Sequence, residues 1–145
     1  MNSITLPITL ATAGAAAIIN FWLSMRVGAV RRSEKVSIGD GGNTRLICRM
    51  RAQANFVEYA PFILILIGLI EFSTGTSTWL WVASAAFLLA RIAHPLGMDG
   101  MPAGRMVGTM VTMLLLLGLA IYAVVLPFTP ERVKSAPVES VLPVG

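Results

Sequence analysis

Four stretches of nearly continuous apolar sequence constrain this chain more than any other feature. They run from about Leu6 to Met25, Phe56 to Phe72, Trp79 to Ala93, and Arg105 to about Leu126. A hydrocarbon core of about 30 Å is crossed by ~20 helical residues rising ~1.5 Å each. Inside it the backbone must pair with itself, and single segments can do this only as helices. The expected fold class is therefore all-α, an integral membrane four-helix bundle. Composition agrees, because 56% of the residues are hydrophobic and 12% are charged. A soluble domain of this size carries roughly 25% charged residues.

The sequence predicts helices over about 6–29, 45–73, 78–94 and 105–127, within one domain of residues 1–130. Pro61 falls inside the second helix, where a membrane protein tolerates a proline kink. GTST makes the turn that follows. Trp79 and Trp81 open the third span, at the level where aromatic rings meet headgroups. Pro95 and Gly97 are expected to end it, because the residue before proline disfavours helix. MDGMPAG then forms a turn, Pro127 and Pro130 stop the fourth helix, and residues 131–145 form a polar tail.

The net charge of +4 matters less than its placement. Arg26, Arg31, Arg32, Lys35, Arg45, Arg49 and Arg51 crowd the segment between the first two spans. A nucleic-acid protein spreads its cations over a soluble surface, so a membrane edge explains the cluster better. Arg91 and Arg105 flank the loop after the third span, and the turn after the second has no cation. Positive loops face the cytoplasm, which places both termini outside. The start, MNSITLP, lacks the basic residues of a secretory signal, so the first span reads as an uncleaved anchor. Gly39, Gly41 and Gly42 lie in a polar loop without the Lys-Ser/Thr of a phosphate loop, and mark a flexible turn. Cys48 stands alone, so no intramolecular disulfide forms, and it reads as a packing residue. With a single His and a single Cys, no metal site and no Ser/His/Asp set is expected.

The segment RMRAQANFVEYAP is the informative one. Arg51, Asn55, Glu58, Tyr59 and Phe62 fall at offsets 0, 4, 7, 8 and 11, which is one helical stripe. A carboxylate in a membrane segment costs at least ~2.5 kcal/mol and seeks a cation or a wet cavity. One reading is an Arg51–Glu58 ion pair that only fixes packing. The other is a ligand site, since Arg31, Arg32, Arg91, His94 and Arg105 fall at the same edge. Such a site suits a ligand with more than one anionic group and an ammonium. Glutathione fits, with two carboxylates, one amine and a thiol. Arginines grip carboxylates in bidentate fashion, and positive charge beside sulfur favours the thiolate.

At these residues the chain resembles the MAPEG family, membrane-associated proteins in eicosanoid and glutathione metabolism. The pattern reads Arg51, Ala52, Gln53, Asn55, Glu58, Tyr59 and Pro61, seven positions in eleven. The segment Ala90-Arg91-Ile92-Ala93-His94-Pro95-Leu96-Gly97 is similar to the family's end of helix 3, and Arg105 to its arginine at the start of helix 4. The resemblance implies a homotrimer of four-helix protomers, with glutathione as co-substrate bound between neighbours on the cytosolic side. By position, Arg51, Asn55, Glu58 and Tyr59 would hold glutathione, and Gln53 with Arg31 or Arg32 would reach a neighbour's ligand. Arg91 and His94 would border the site, and Arg105 would be catalytic, beside the sulfur.

The chain departs from the eicosanoid-forming and microsomal branches where they carry tyrosines after the helix-3 arginine. Here stand His94, which can still donate a hydrogen bond, and Met98, which cannot. The chain looks closer to bacterial members, which implies the bacterial inner membrane with both termini periplasmic. The function implied is a membrane-bound glutathione-dependent transferase or peroxidase acting on a lipophilic electrophile. The alternative is a non-catalytic membrane protein binding a lipid or anionic metabolite. Met106, Met110 and Met113 form a stripe on the fourth helix, and such stripes usually serve packing.

Overall fold

The computed structural model describes residues 5–129. Four long helices follow one another: α1 (Pro7–Ser33), α2 (Thr44–Thr74), α3 (Thr78–Met98) and α4 (Pro102–Val125), with a short 3₁₀ turn, Leu126–Phe128. Each is long and apolar enough to cross a membrane. The polar tail expected at 131–145 lies outside the described residues.

Their ends follow from local chemistry. Pro7 sits in the first turn of α1, where a missing N–H costs nothing. The helix runs four residues beyond the expected 29, because nothing from Val30 to Ser33 breaks it and Arg31 and Arg32 complement its negative C-terminal end. Asn43 caps α2, its Oδ1 accepting from the Leu46 N–H at 3.0 Å. Gly75, at φ 80°, closes that helix. α2 stays continuous through Pro61.

The end of α3 differs from expectation. The helix passes through Pro95 and Gly97 and stops at Met98. Proline removes one backbone donor, which tertiary packing offsets here, since Pro95 is itself buried. Gly97 serves close approach rather than termination. A Cβ there would overlap the backbone of Arg105. α4 starts three residues before the expected Arg105, at Pro102 in its first turn.

Successive helices are antiparallel. The start of α1 meets the end of α2 through Ile8 and Glu71, and the end of α3 meets the start of α2 through Arg91 and Asn55. α3 packs most extensively on α4, while the backbones of α1 and α4 do not approach closely among the described residues. The main core joins Ile8, Ala16, Ile19 and Leu23 of α1, Phe56, Ile63, Ile67 and Ile70 of α2, Leu80 and Phe87 of α3, and Leu119 of α4. In a bilayer, apolar burial adds no hydrophobic drive between helices, so packing and small residues must hold them. Gly104 and Gly108 supply that contact on α4. A Cβ at Gly108 would stand 2.7 Å from the Ala90 carbonyl oxygen, and one at Gly104 would stand 2.9 Å from that of Ala93.

Two polar assemblies mark opposite ends. At one end Glu71, 1% exposed, caps α1. Its carboxylate accepts from the Ile8 N–H at 3.0 Å, the Thr9 N–H at 2.8 Å, Thr9 Oγ1 at 2.7 Å and Thr76 Oγ1 at 3.1 Å. Those amides start a helix that has no side-chain cap of its own. At the other, basic end, Asp99 pairs with Arg26 and lies 3.6 Å from Arg49.

Candidate functional site

The first turns of α2 put their polar residues on one side because positions three and four apart share a helical face. Arg51, Ala54, Asn55 and Glu58 therefore form one wall of a cleft. His94 and Met98, a turn apart near the end of α3, form the opposite wall together with Arg105 from the first turn of α4. The glycine contacts at Gly97, Gly104 and Gly108 press α4 against α3 and so bring Arg105 beside His94 and Met98. The cleft encloses about 490 Å³.

Its electrostatics are lopsided. Two guanidinium groups, Arg51 and Arg105, face one carboxylate, Glu58, with the His94 imidazole between the helices. Arg51, Glu58 and Arg105 are exposed, while His94 is only 6% exposed. Arg51 and Glu58 make no ion pair within 4.0 Å. No Arg51–Glu58 ion pair therefore fixes packing among the described residues.

Arg91 stands behind this wall rather than on it. It is 1% exposed, and its Nη1 donates to Asn55 Oδ1 at 3.0 Å and to the Asn55 carbonyl at 3.3 Å. Its Nε and Nη2 have no acceptor among the described residues. Buried N–H donors left over beside a cationic cleft suit an anionic occupant.

Of the residues read from the sequence, the structure brings together Arg51, Asn55, Glu58, His94 and Arg105. It leaves five outside the lining. Arg91 supports Asn55 from within. Gln53 points across to α1, donating to Ser24 Oγ at 2.5 Å. Arg31 reaches the Ser37 carbonyl at 3.4 Å and Met50 Sδ at 3.5 Å. Arg32 is exposed and Tyr59 is half-buried, and neither lines the cleft. Tyr59 follows Glu58 around the helix, and that extra rotation carries it off the cleft face.

Sequence reasoning missed Asp99 and Glu71, whose partners are distant in the chain. It also missed Gly104 and Gly108, although their four-residue spacing is the small-residue signature of close membrane-helix contact. Among the described residues no His, Cys, Asp or Glu cluster could hold a metal ion. A second cleft of about 510 Å³ lies at the opposite end, lined by Trp79, Ala83, Leu114, Leu115, Gly118, Leu119 and Tyr122. It is larger, but no acidic or basic side chain lines it, so the polar chemistry belongs to the first cleft.

Comparison with known proteins agrees with the sequence pattern. The model of the MAPEG family matches residues 9–125. The chain is also similar to the inner membrane protein YecN of Escherichia coli strain K12, at 30% identity over 83 residues. YecN of Escherichia coli O6:H1 matches equally. Each alignment covers 57% of this chain and spans 63% of the relative's length.

Proposed function

This chain belongs to the MAPEG family, and from that premise we propose that it is a membrane-bound glutathione-dependent transferase or peroxidase. It would set the glutathione thiol against a lipophilic electrophile reached from the bilayer. The observation that carries this reading is the convergence of Arg51, Asn55, Glu58, His94 and Arg105 on one cleft.

The donor set fits the ligand. Arg51 can grip a carboxylate in bidentate fashion, and Glu58 on the same wall can receive the ammonium. Asn55, fixed by Arg91, presents a side chain whose orientation is already set. Arg105 places positive charge where the sulfur would lie and so favours its ionised form. Glutathione itself supplies the nucleophilic sulfur. The protein's contribution is proximity and charge stabilisation, with no covalent enzyme intermediate. Met106 and Met110, exposed on α4 just beyond Arg105, give a lipophilic partner an apolar approach.

The same reading places the cleft at the cytoplasmic face, both termini in the periplasm, and the protein in the bacterial inner membrane. That compartment is supported by the inner-membrane relative. It also includes a homotrimer, in which Gln53 with Arg31 or Arg32, outside this chain's own cleft, would reach a neighbour's ligand.

A second reading, a non-catalytic binder of a lipid or anionic metabolite, is favoured by Met98, which lines the cleft without a hydrogen-bond donor. One experiment separates the two. Detergent-purified protein is titrated with glutathione while the thiolate absorbance is followed, and turnover is assayed with a generic lipophilic electrophile. Thiolate formation that is lost in Arg105→Ala, with weakened binding in Arg51→Ala, supports the enzyme. Saturable binding without turnover supports the binder. Absence of binding by the parent protein refutes the glutathione assignment.

A further inference from the structure

We propose that Asp99 is a positioning residue for the polar cleft, latching its two walls together at the separation that grips a ligand. The identity of that ligand rests on the glutathione reading, and the latch itself does not.

The cleft lies between two bodies. One is α2, with Arg51, Ala54, Asn55 and Glu58. The other is the α3–α4 pair, with His94, Met98 and Arg105. Gly97 holds that pair together, because its Cα lies where any side chain would overlap the Arg105 backbone. A displacement of the turn between them therefore carries His94, Met98 and Arg105 as a unit.

Asp99 begins this turn, immediately after Met98. Its Oδ2 accepts from Arg26 Nη2 on α1, and its Oδ1 lies 3.6 Å from Arg49 Nε on α2. Arg49 stands two residues before Arg51, at the root of the opposite wall. Its Nη1 also donates to the Arg26 carbonyl at 3.1 Å. The Arg26 guanidinium lies over the Trp22 ring, 4.8 Å from its centroid. One carboxylate thus ties the moving wall to α2 and to α1, which packs on α2.

These are the only ion pairs among the described residues. Their side chains are 11%, 15% and 33% exposed for Arg26, Arg49 and Asp99, so water screens them only in part. Loss of the carboxylate removes the tether and also leaves two arginines facing each other without a counter-charge. The remaining polar tie between the walls, Arg91 to Asn55, lies deeper and leaves the mouth free to widen.

The test uses the full chain in nanodiscs on a Cys48→Ser background. Nitroxides are attached at Val57→Cys on α2 and Met101→Cys in the turn, both exposed positions. Distance distributions and glutathione affinity are compared for the parent, Asp99→Asn and Asp99→Glu. The expected result is a longer, broader distribution in Asp99→Asn and a dissociation constant raised roughly tenfold, equivalent to about 1.4 kcal/mol of lost grip. Asp99→Glu restores both. A role in stability alone would lower the melting temperature without this charge-specific rescue. An unchanged distribution in Asp99→Asn overturns the latch, as does a shifted distribution with unchanged affinity. If the parent binds no glutathione, the ligand assignment falls and the distance distributions alone decide the latch. Should Asp99→Asn fail to fold, Arg26→Gln keeps the Arg49 contact and must give a smaller shift in the same direction. No shift there counts against the proposal.

Discussion

Arg91 Nη1 donates to both the side-chain oxygen and the backbone carbonyl of Asn55, at 3.0 and 3.3 Å. A guanidinium held away from water is thereby tied to a residue on the wall of the cleft. Asn55→Ala removes one of its two acceptors, and Arg91 cannot move to water to replace it. The expected cost is about 1–3 kcal/mol. Unfolding by denaturing detergent, monitored by circular dichroism, measures it. A midpoint equal to that of the parent would show that this hydrogen bond carries no weight.

Glu71 gives a second stability prediction. Glu71→Ala strips the Ile8 and Thr9 amides of their acceptors at the start of α1, and helix caps of this kind contribute about 1–2 kcal/mol. The loss should be local. Hydrogen exchange is expected to rise at the first turn of α1 and to stay unchanged around Asn55. Equal rates at Ile8 and Thr9 in variant and parent would remove the cap from the account.

The glycines separate crowded from open positions. Gly108→Ala forces a methyl to 2.7 Å from the Ala90 carbonyl and 2.8 Å from His94 Cβ, so α4 must move away from α3 and take Arg105 with it. Gly118→Ala meets nothing within 4 Å. The first substitution is expected to lower both thermal stability and ligand affinity, and the second to leave both near the parent values. Comparable behaviour of the two variants would contradict the packing described between α3 and α4.

The proposed orientation predicts the outcome of reporter fusions. A periplasm-dependent phosphatase inserted in the α2–α3 turn, after Thr76, should be active. The same enzyme inserted in the α1–α2 loop, after Gly41, should be silent. The reverse pattern would put the polar cleft on the periplasmic side.

The stripe from Arg51 to Glu58 was legible because helical geometry alone fixes which residues of one segment share a face. Tyr59 belongs to the same stripe by spacing, yet it lies at the stripe's edge, about 80° from Arg51 around the helix and beyond Asn55, and does not line the cleft. The end of α3 runs past its sequence signals, since Pro95 and Gly97 stop isolated helices and packing against α4 overrides both. The Glu71 cap was hidden for another reason. Two of its four partners are backbone amides, which any residue but proline at positions 8 and 9 would provide. Asp99 carried a visible charge, but its partners lie 73 and 50 residues earlier in the chain, beyond any local pattern.

The Glu71 cap also bears on the order in which the protein is made. The amides of Ile8 and Thr9 emerge from the ribosome early, whereas their acceptor follows about sixty residues later. During synthesis the first segment must enter the bilayer with its leading turn open, resting on interfacial water or lipid headgroups. It gains its final seat only when the second segment has carried a carboxylate across to meet it.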